Sequence, residues 1–291
     1  MVTATALIVP QKGAPFETRI VELDTLRANE VLVDIKATGV CHTDIAVQQG
    51  KVPVGFPAVL GHEGAGIVRA VGPDVKDCQP GDHVILSYNF CSVYNVVKPV
   101  ERNVRHLAIF GVGGVGCAAL MAANHLRKSN IEDTFDIIAI DLVDNRLEFA
   151  KELGATHVIN SGQQNLNKVI TQVTNGDLLD AAIDCTGSLA VINDMIKLTG
   201  KGGIAVTVGG PPPGEKVSVD VFDMLISCKT YCGSHQGNAC SKAFIPWLTE
   251  LYANGHFPLE KMQKTYAANE VNMACTDMLD GKVLKPILVW D

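Results

Sequence analysis

Residues 31–37 (VLVDIKA) alternate apolar and polar side chains, the period of a strand with one face buried. Residues 61–72 (GHEGAGIVRAVG) are Gly-rich with a strand-like centre, 80–83 (PGDH) form a turn, and 84–86 begin another strand. Residues 1 to about 90 therefore predict a compact, mostly β unit. The rhythm changes near His106. An apolar strand at 107–110 runs into a Gly cluster, and 115–126 follow with apolar residues at helical spacing. A strand at 136–140, a helix at 145–153 and further strands at 157–159, 181–184 and 204–208 continue the pattern, with helical stretches between them. Alternating strands and helices of this length predict right-handed βαβ units and a parallel sheet. The rhythm ends near residue 260, and the strand candidate at 286–290 lies outside it, placed to return to the first unit.

Gly111-Val112-Gly113-Gly114-Val115-Gly116 matches G-x-G-x-x-G. Alone the pattern is weak, but here a strand precedes it, a helix follows it, and Asp141 ends the next strand, 25 positions after Gly116. In a dinucleotide site Gly111 permits the tight turn, Gly113 lets the backbone approach the pyrophosphate, and Gly116 lets helix and strand pack closely. The helix N-terminus, at Gly114 and Val115, offers N–H donors to phosphate. Asp141 is placed to accept from adenosine ribose hydroxyls and would repel a 2′-phosphate, which favours NAD over NADP. Arg146 reads either as a neighbour of adenine or ribose or as a solvated helix residue. The competing reading of the whole turn is a Gly-rich βα connection with no ligand.

Composition narrows the function classes. The chain has 291 residues, 47% hydrophobic and 19% charged, enough for two domains with real cores. With 24 basic against 31 acidic residues and a net charge of −7, there is no basic excess to bind nucleic acid. The longest apolar runs, 137–140 and 204–208, are strand-sized, so no membrane span is expected. Residues 1–10 carry no basic leader, which predicts a cytoplasmic protein. The nine cysteines are scattered, with no C-x-x-C pair, and reduced thiols are the expectation.

Cys41 and His62 are good zinc ligands by chemistry, though their spacing of 21 positions says little by itself. Their surroundings say more. GVCHTD (39–44), GFPAVLGHEGAGIV (55–68), PGDHVI (80–85), GVGGVG (111–116) and GKVLKPILVW (281–290) together resemble the zinc-containing medium-chain alcohol dehydrogenases. The stretch from Cys232 through Phe257-Pro258 to Ile287 is most similar to the benzyl- or aryl-alcohol branch. The resemblance implies an α/β fold: a Rossmann doubly wound parallel sheet over 106–261, and a truncated, mostly β GroES-like domain over 1–105 completed by 262–291. It implies NAD-dependent hydride transfer from a primary or aromatic alcohol, with zinc as Lewis acid. Cys41 and His62 resemble two of three catalytic zinc ligands. Glu63 resembles the glutamate beside the metal, Thr43 the hydroxyl that receives the alcohol proton, and Asp44 a residue that orients a ligand. His42 holds the position that contacts the coenzyme pyrophosphate and could also shuttle protons; the alternative is an exposed loop imidazole. Val208 and Gly209 resemble the strand end beside the nicotinamide. The family further implies a homodimer or tetramer through the sheet edge near Thr230–Gly233.

The chain departs from the family after Cys91. From His62 to Gly111 is 49 positions (111 − 62), where the family spans roughly 80 more by motif alignment. The lost segment would carry the structural zinc lobe and the Cys that completes the catalytic zinc site, so no structural zinc is expected. Three replacements for that Cys remain open: Glu63 as a permanent ligand, Cys91, or a cysteine or His235 from the 228–240 stretch. The competing reading of Cys91, and the favoured one, is a free thiol left by the loss. Cys185, Cys228, Cys232, Cys240 and Cys275 read as small core hydrophobes. A two-ligand zinc site also leaves room for a redox-neutral enzyme (isomerase, lyase or cyclase) or an impaired NAD-binding relic on the same scaffold.

Overall fold

The structure, a computed structural model, describes residues 2–87, 104–129 and 135–290. The chain forms two units, Met1–Tyr88 with Leu259–Asp291, and Asn89–Pro258.

The first unit opens with β1 (Val2–Val9), β2 (Glu17–Leu23), β3 (Val31–Gly39), α1 (His42–Gln48), β4 (Ala58–Val59), β5 (Gly64–Val71) and β6 (His83–Ile85). β1 pairs antiparallel with β2, from Val2 opposite Leu23 to Ile8 opposite Glu17, and takes β4 on its other side. β3 follows the predicted alternation and pairs antiparallel with β5, which pairs in turn with β6. Gly66 must lack a side chain because a Cβ would drive into the Asp34 carbonyl of the neighbouring strand.

The second unit comprises β7 (His106–Phe110), α2 (Gly114–Ser129), β8 (Asp136–Asp141), α3 (Asp144–Glu152), β9 (His157–Asn160), α4 (Leu166–Val173), β10 (Leu179–Asp184), α5 (Leu189–Leu198), β11 (Thr199–Thr207), α6 (Val221–Ser227), β12 (Thr230–Gly233) and α7 (Ser241–Ala253). The six strands run parallel in the order β12-β11-β10-β7-β8-β9. Chain order thus reverses direction between β7 and β10, the doubly wound pattern. The apolar runs are explained by burial on both faces: Ile137, Ile138 and Ala139 have no exposed surface. β11 begins at Thr199, well before the apolar run at 204–208. Its first residues, Thr199–Gly203, include three glycines, and the β10 pairing is irregular there, so periodicity alone does not mark them as strand.

The chain then returns to the first unit with β13 (Gln263–Ala267), α8 (Val271–Leu279) and β14 (Lys285–Val289). β14 pairs antiparallel with β3 and parallel with β13, which completes a five-stranded sheet ordered β13-β14-β3-β5-β6. The core of this unit gathers Leu7, Val9, Phe16, Val40 and Ile45 against Tyr266, Ala274, Met278 and Leu288. Among the described residues no helix is long and apolar enough to cross a membrane.

Candidate functional site

Each unit carries one of the two motifs. In the first, Cys41 is the N-cap of α1, and its sulfur accepts a long bond from Thr43 N–H at 3.5 Å. His42 and Thr43 occupy the exposed first turn. Asp44 is buried, 7% exposed, and its two oxygens divide their work. Oδ2 accepts from Cys41 N–H at 3.0 Å, and Oδ1 faces His62 Nδ1 at 3.3 Å. One carboxylate therefore ties together the residues that carry both candidate ligands, and with Nδ1 engaged the ring presents Nε2 as its ligand nitrogen. Burial raises the Asp44 pKa above the usual carboxylate value, opposed by the Cys41 N–H and His62.

Glu63 follows His62 on the loop between β4 and β5. One ligand atom each from Cys41, His62 and Glu63 lie within 4.8 Å of one another, all three residues half-buried. Among the described residues this is the one such cluster of three or more. Of the replacements open for the missing cysteine, Glu63 joins it within this unit, and Cys91 lies outside the described residues. The donor set of one thiolate, one imidazole and one carboxylate fits zinc and leaves a coordination position open. Glu63 is held from behind. Lys285 on β14 pairs with its Oε2 and also donates to the Val40 carbonyl at 3.3 Å. Gly39 leaves room beneath them, because a Cβ there would take the place of Glu63 Oε2 and push that carboxylate aside. An open cavity of about 1290 Å³ within this unit is lined by His62, Glu63 and Asp44 together with apolar residues such as Leu7, Leu32, Leu60 and Trp290.

In the second unit, Gly111 leaves β7 at φ +84, a conformation that favours glycine. Gly113 has open space where a Cβ would sit, and a Cβ on Gly116 would strike the Gly111 carbonyl. Gly116 is thus required by the turn itself more than by the strand. Gly114 and Val115 open α2, with Val115 55% exposed. Asp141, 9% exposed, closes the turn: Oδ2 accepts from Val112 N–H at 2.9 Å and Oδ1 from Leu142 and Val143 N–H at 2.8 and 3.0 Å. Arg146 lies 3.9 Å from Asp141, which sets a cation beside the carboxylate. Val208 and Gly209, past the end of β11, both donate to the Asp184 carbonyl. Asp184 and Lys285 escaped the sequence reading. Lys285 stands inside the GKVLKPILVW motif, but its partners are far away in the chain.

The second unit matches the family model described as zinc-binding dehydrogenase over residues 114–253, and residues 27–130 match the alcohol dehydrogenase GroES-like domain. The solved benzyl alcohol dehydrogenase of Acinetobacter calcoaceticus is 32% identical and covers 100% of each chain at a TM-score of 0.90. The NDMA-dependent alcohol dehydrogenase of Amycolatopsis methanolica is 29% identical, with 98% of each chain covered. The geraniol dehydrogenase of Castellaniella defragrans is 27% identical, covering 99% of this chain and 98% of its own. The Amycolatopsis match runs over 371 positions against 291 residues here, so at least 80 of them (371 − 291) have no counterpart in this chain.

Proposed function

The chain belongs to the zinc-binding alcohol dehydrogenase family of oxidoreductases, which use zinc and a nicotinamide coenzyme, and from that premise we propose that it oxidises a primary or aromatic alcohol to the aldehyde with NAD. The observation that carries this reading is the convergence of Cys41, His62 and Glu63. They would hold a single catalytic zinc, Glu63 replacing the cysteine that the shortened chain lacks. When bound, zinc supplies the Lewis acidity that eases loss of the alcohol proton, and NAD supplies the hydride acceptor. The chain's own residues do the rest. Asp44 fixes the His62 ring and the Cys41 backbone in one register. Lys285 keeps Glu63 from swinging away. Thr43 takes the proton that leaves the alcohol, and His42 beside it passes that proton outward. In the second unit the turn at Gly111–Gly116 receives the pyrophosphate, Asp141 selects an unphosphorylated ribose, and Arg146 lies beside the adenine or ribose. Val208 and Gly209 form the wall beside the nicotinamide.

All eight described cysteines are free thiols, which suits the reducing cytoplasm. Self-association through the open edge at β12 is supported by α6, where Val221, Phe222, Leu225 and Ile226 are 60 to 76% exposed. Light scattering on the eluting protein is expected to give a dimer or tetramer; a monomer would remove that part of the reading.

Elemental analysis of freshly purified protein, with NADH formation from benzyl alcohol, tests the whole. About one zinc per chain and chelator-sensitive turnover are expected. A protein that binds NAD, carries no zinc and oxidises no alcohol would sink the reading. Turnover indifferent to both chelator and NAD would replace it with redox-neutral chemistry.

A further inference from the structure

In an open parallel sheet the ligand crevice lies beyond the carboxyl ends of the strands, where the strand order reverses. Here that point falls between β7 and β10. One wall of the crevice is the glycine turn after β7. The other is the loop after β10, which rests on a single buried acid. Asp184, the last residue of β10, has no exposed surface. Its Oδ1 accepts from Thr186 N–H at 2.9 Å and from Thr186 Oγ1–H at 2.6 Å, and its Oδ2 accepts from Gly187 N–H at 3.2 Å. The Thr186 hydroxyl in turn accepts from Ser188 N–H at 3.0 Å.

This curled loop is wedged between its neighbours on both sides. Cys185 N–H donates to Phe110 O at 2.8 Å, joining the loop to the last residue of β7. A Cβ on Gly111 would lie 2.5 Å from Thr186 Cγ2, so the threonine methyl rests directly on the first glycine of the turn. On the other side, Val208 and Gly209 N–H donate to the Asp184 carbonyl at 2.9 and 3.0 Å. A Cβ on Gly187 (φ +67) would stand 2.9 Å from the Gly210 backbone. The ends of β7, β10 and β11 are therefore joined by backbone bonds, and the Asp184 carboxylate with its three donors fixes the shape of the loop that lies between them.

We propose that Asp184, acting through Thr186 and Gly187, is a positioning residue for the coenzyme, setting the wall that faces the glycine turn. The proposal rests on the NAD reading given above. Asp184 touches no ligand. It spaces the Gly111–Gly116 turn from the strand end at Val208 and Gly209, so its loss acts on coenzyme affinity before it acts on the chemistry at Cys41, His62 and Glu63.

The test is NADH binding, followed by fluorescence, together with steady-state kinetics on the zinc-loaded protein. D184N keeps the size of the side chain but opposes an amide to N–H donors. It is expected to weaken NADH binding and raise KM for NAD by roughly tenfold or more, the worth of one or two hydrogen bonds to a charged acceptor, while kcat changes several-fold less. T186V, which removes one donor to Asp184 and the acceptor of Ser188 N–H, is expected to weaken binding by a smaller factor, and T186S, which keeps the hydroxyl, to bind close to wild type. If D184N fails to fold by circular dichroism, the T186V and T186S pair decides alone. Wild-type protein that binds NADH while D184N or T186V binds it equally well overturns the positioning role and leaves the NAD reading standing. Wild-type protein that binds no NADH overturns both.

Discussion

β8 and β3 are both interior strands of their sheets, and they differ in what surrounds them. Five of the six residues of β8 are buried, from Ile137 to Asp141. Of the nine residues in β3 only Gly39 is buried, although β5 and β14 pair with it on both sides. β3 thus has both its ladder partners while the cover over its side chains is incomplete, and the cavity beside Cys41, His62 and Glu63 opens along Leu32, Ile35 and Thr38. A strand needs only its two neighbours to satisfy its N–H and C=O groups, whereas a core needs every layer. At least 80 positions of the Amycolatopsis relative are absent here. The second unit retains its six strands and a core built on Ala108, Phe110, Ile138, Ile140, Ile159 and Leu179. An open cover over β3 is what a loss of material from the first unit would leave.

The largest effect is expected where the comparison is sharpest, between a metal site in the open unit and a coenzyme site in the closed one. C41A and E63Q should each lower zinc content and cut alcohol oxidation by about a thousandfold or more, the scale of several kcal/mol of Lewis-acid stabilisation. NADH affinity should stay at the wild-type value in both. Activity retained by E63Q with full zinc would show that Glu63 is not the third ligand. Loss of NADH binding in C41A would show that the two units do not work as separate parts.

Packing gives the next difference. Ile138 is fully buried in β8, and Ile138→Ala should cost about 3–4 kcal/mol by urea denaturation. Ile35 in β3 is only half-buried, and Ile35→Ala should cost about 1 kcal/mol or less. Equal losses at the two positions would mean that the first unit is as well packed as the second.

The parts that could be read from the sequence are those whose signals are local. The G-x-G-x-x-G turn, its flanking strand and helix, and the alternation of β3 each lie within a short window, and all are present. Cys41 and His62 were legible because motifs surround them, although residues so far apart show nothing by spacing. Lys285 was not legible as a partner of Glu63, since 222 positions (285 − 63) separate them and only the β14–β3 pairing joins them. Asp184 was hidden for the opposite reason. Its bonds reach two and three residues on, and a short acid-to-backbone turn of that kind is common enough to carry no signal. β1 and β2 also passed unmarked: Val2–Val9 begins with alternating Thr and Ala and ends in a continuous apolar run, matching neither strand template throughout.

Coenzyme choice should respond more modestly. Asp141 is the acid that would face a 2′-phosphate, and D141N removes its charge while keeping its size. The NAD-over-NADP preference in kcat/KM should fall by roughly tenfold, the scale of one charge–charge interaction. Because Asp141 also binds Val112, Leu142 and Val143 N–H, D141N should lose affinity for NAD as well. A preference that does not move would show that another group excludes the phosphate.

The smallest difference between the units lies in thiols that are buried or partly buried, and pH exposes it. Burial pushes Cys117 and Cys185 in the second unit up to about 12, with Asp184 adding to the effect at Cys185, and pushes Cys275 in the first unit up to about 11. An unfolded thiol ionises near 9, so below that pH both states hold the proton and the contribution is complete. Above it the unfolded chain releases a proton that the folded chain keeps, and stability falls as pH rises toward 11 or 12. At pH 10 each such thiol has forfeited about 1.4 kcal/mol. The second unit carries two of these thiols and the first carries one, so alkaline pH should narrow the stability gap that packing gives the second unit. C185A should flatten the fall in unfolding free energy between pH 8 and pH 10 by about 1.4 kcal/mol. Equal slopes in C185A and wild type would mean that the Cys185 thiol meets water in the folded protein, and with it the floor of the loop that Asp184 holds.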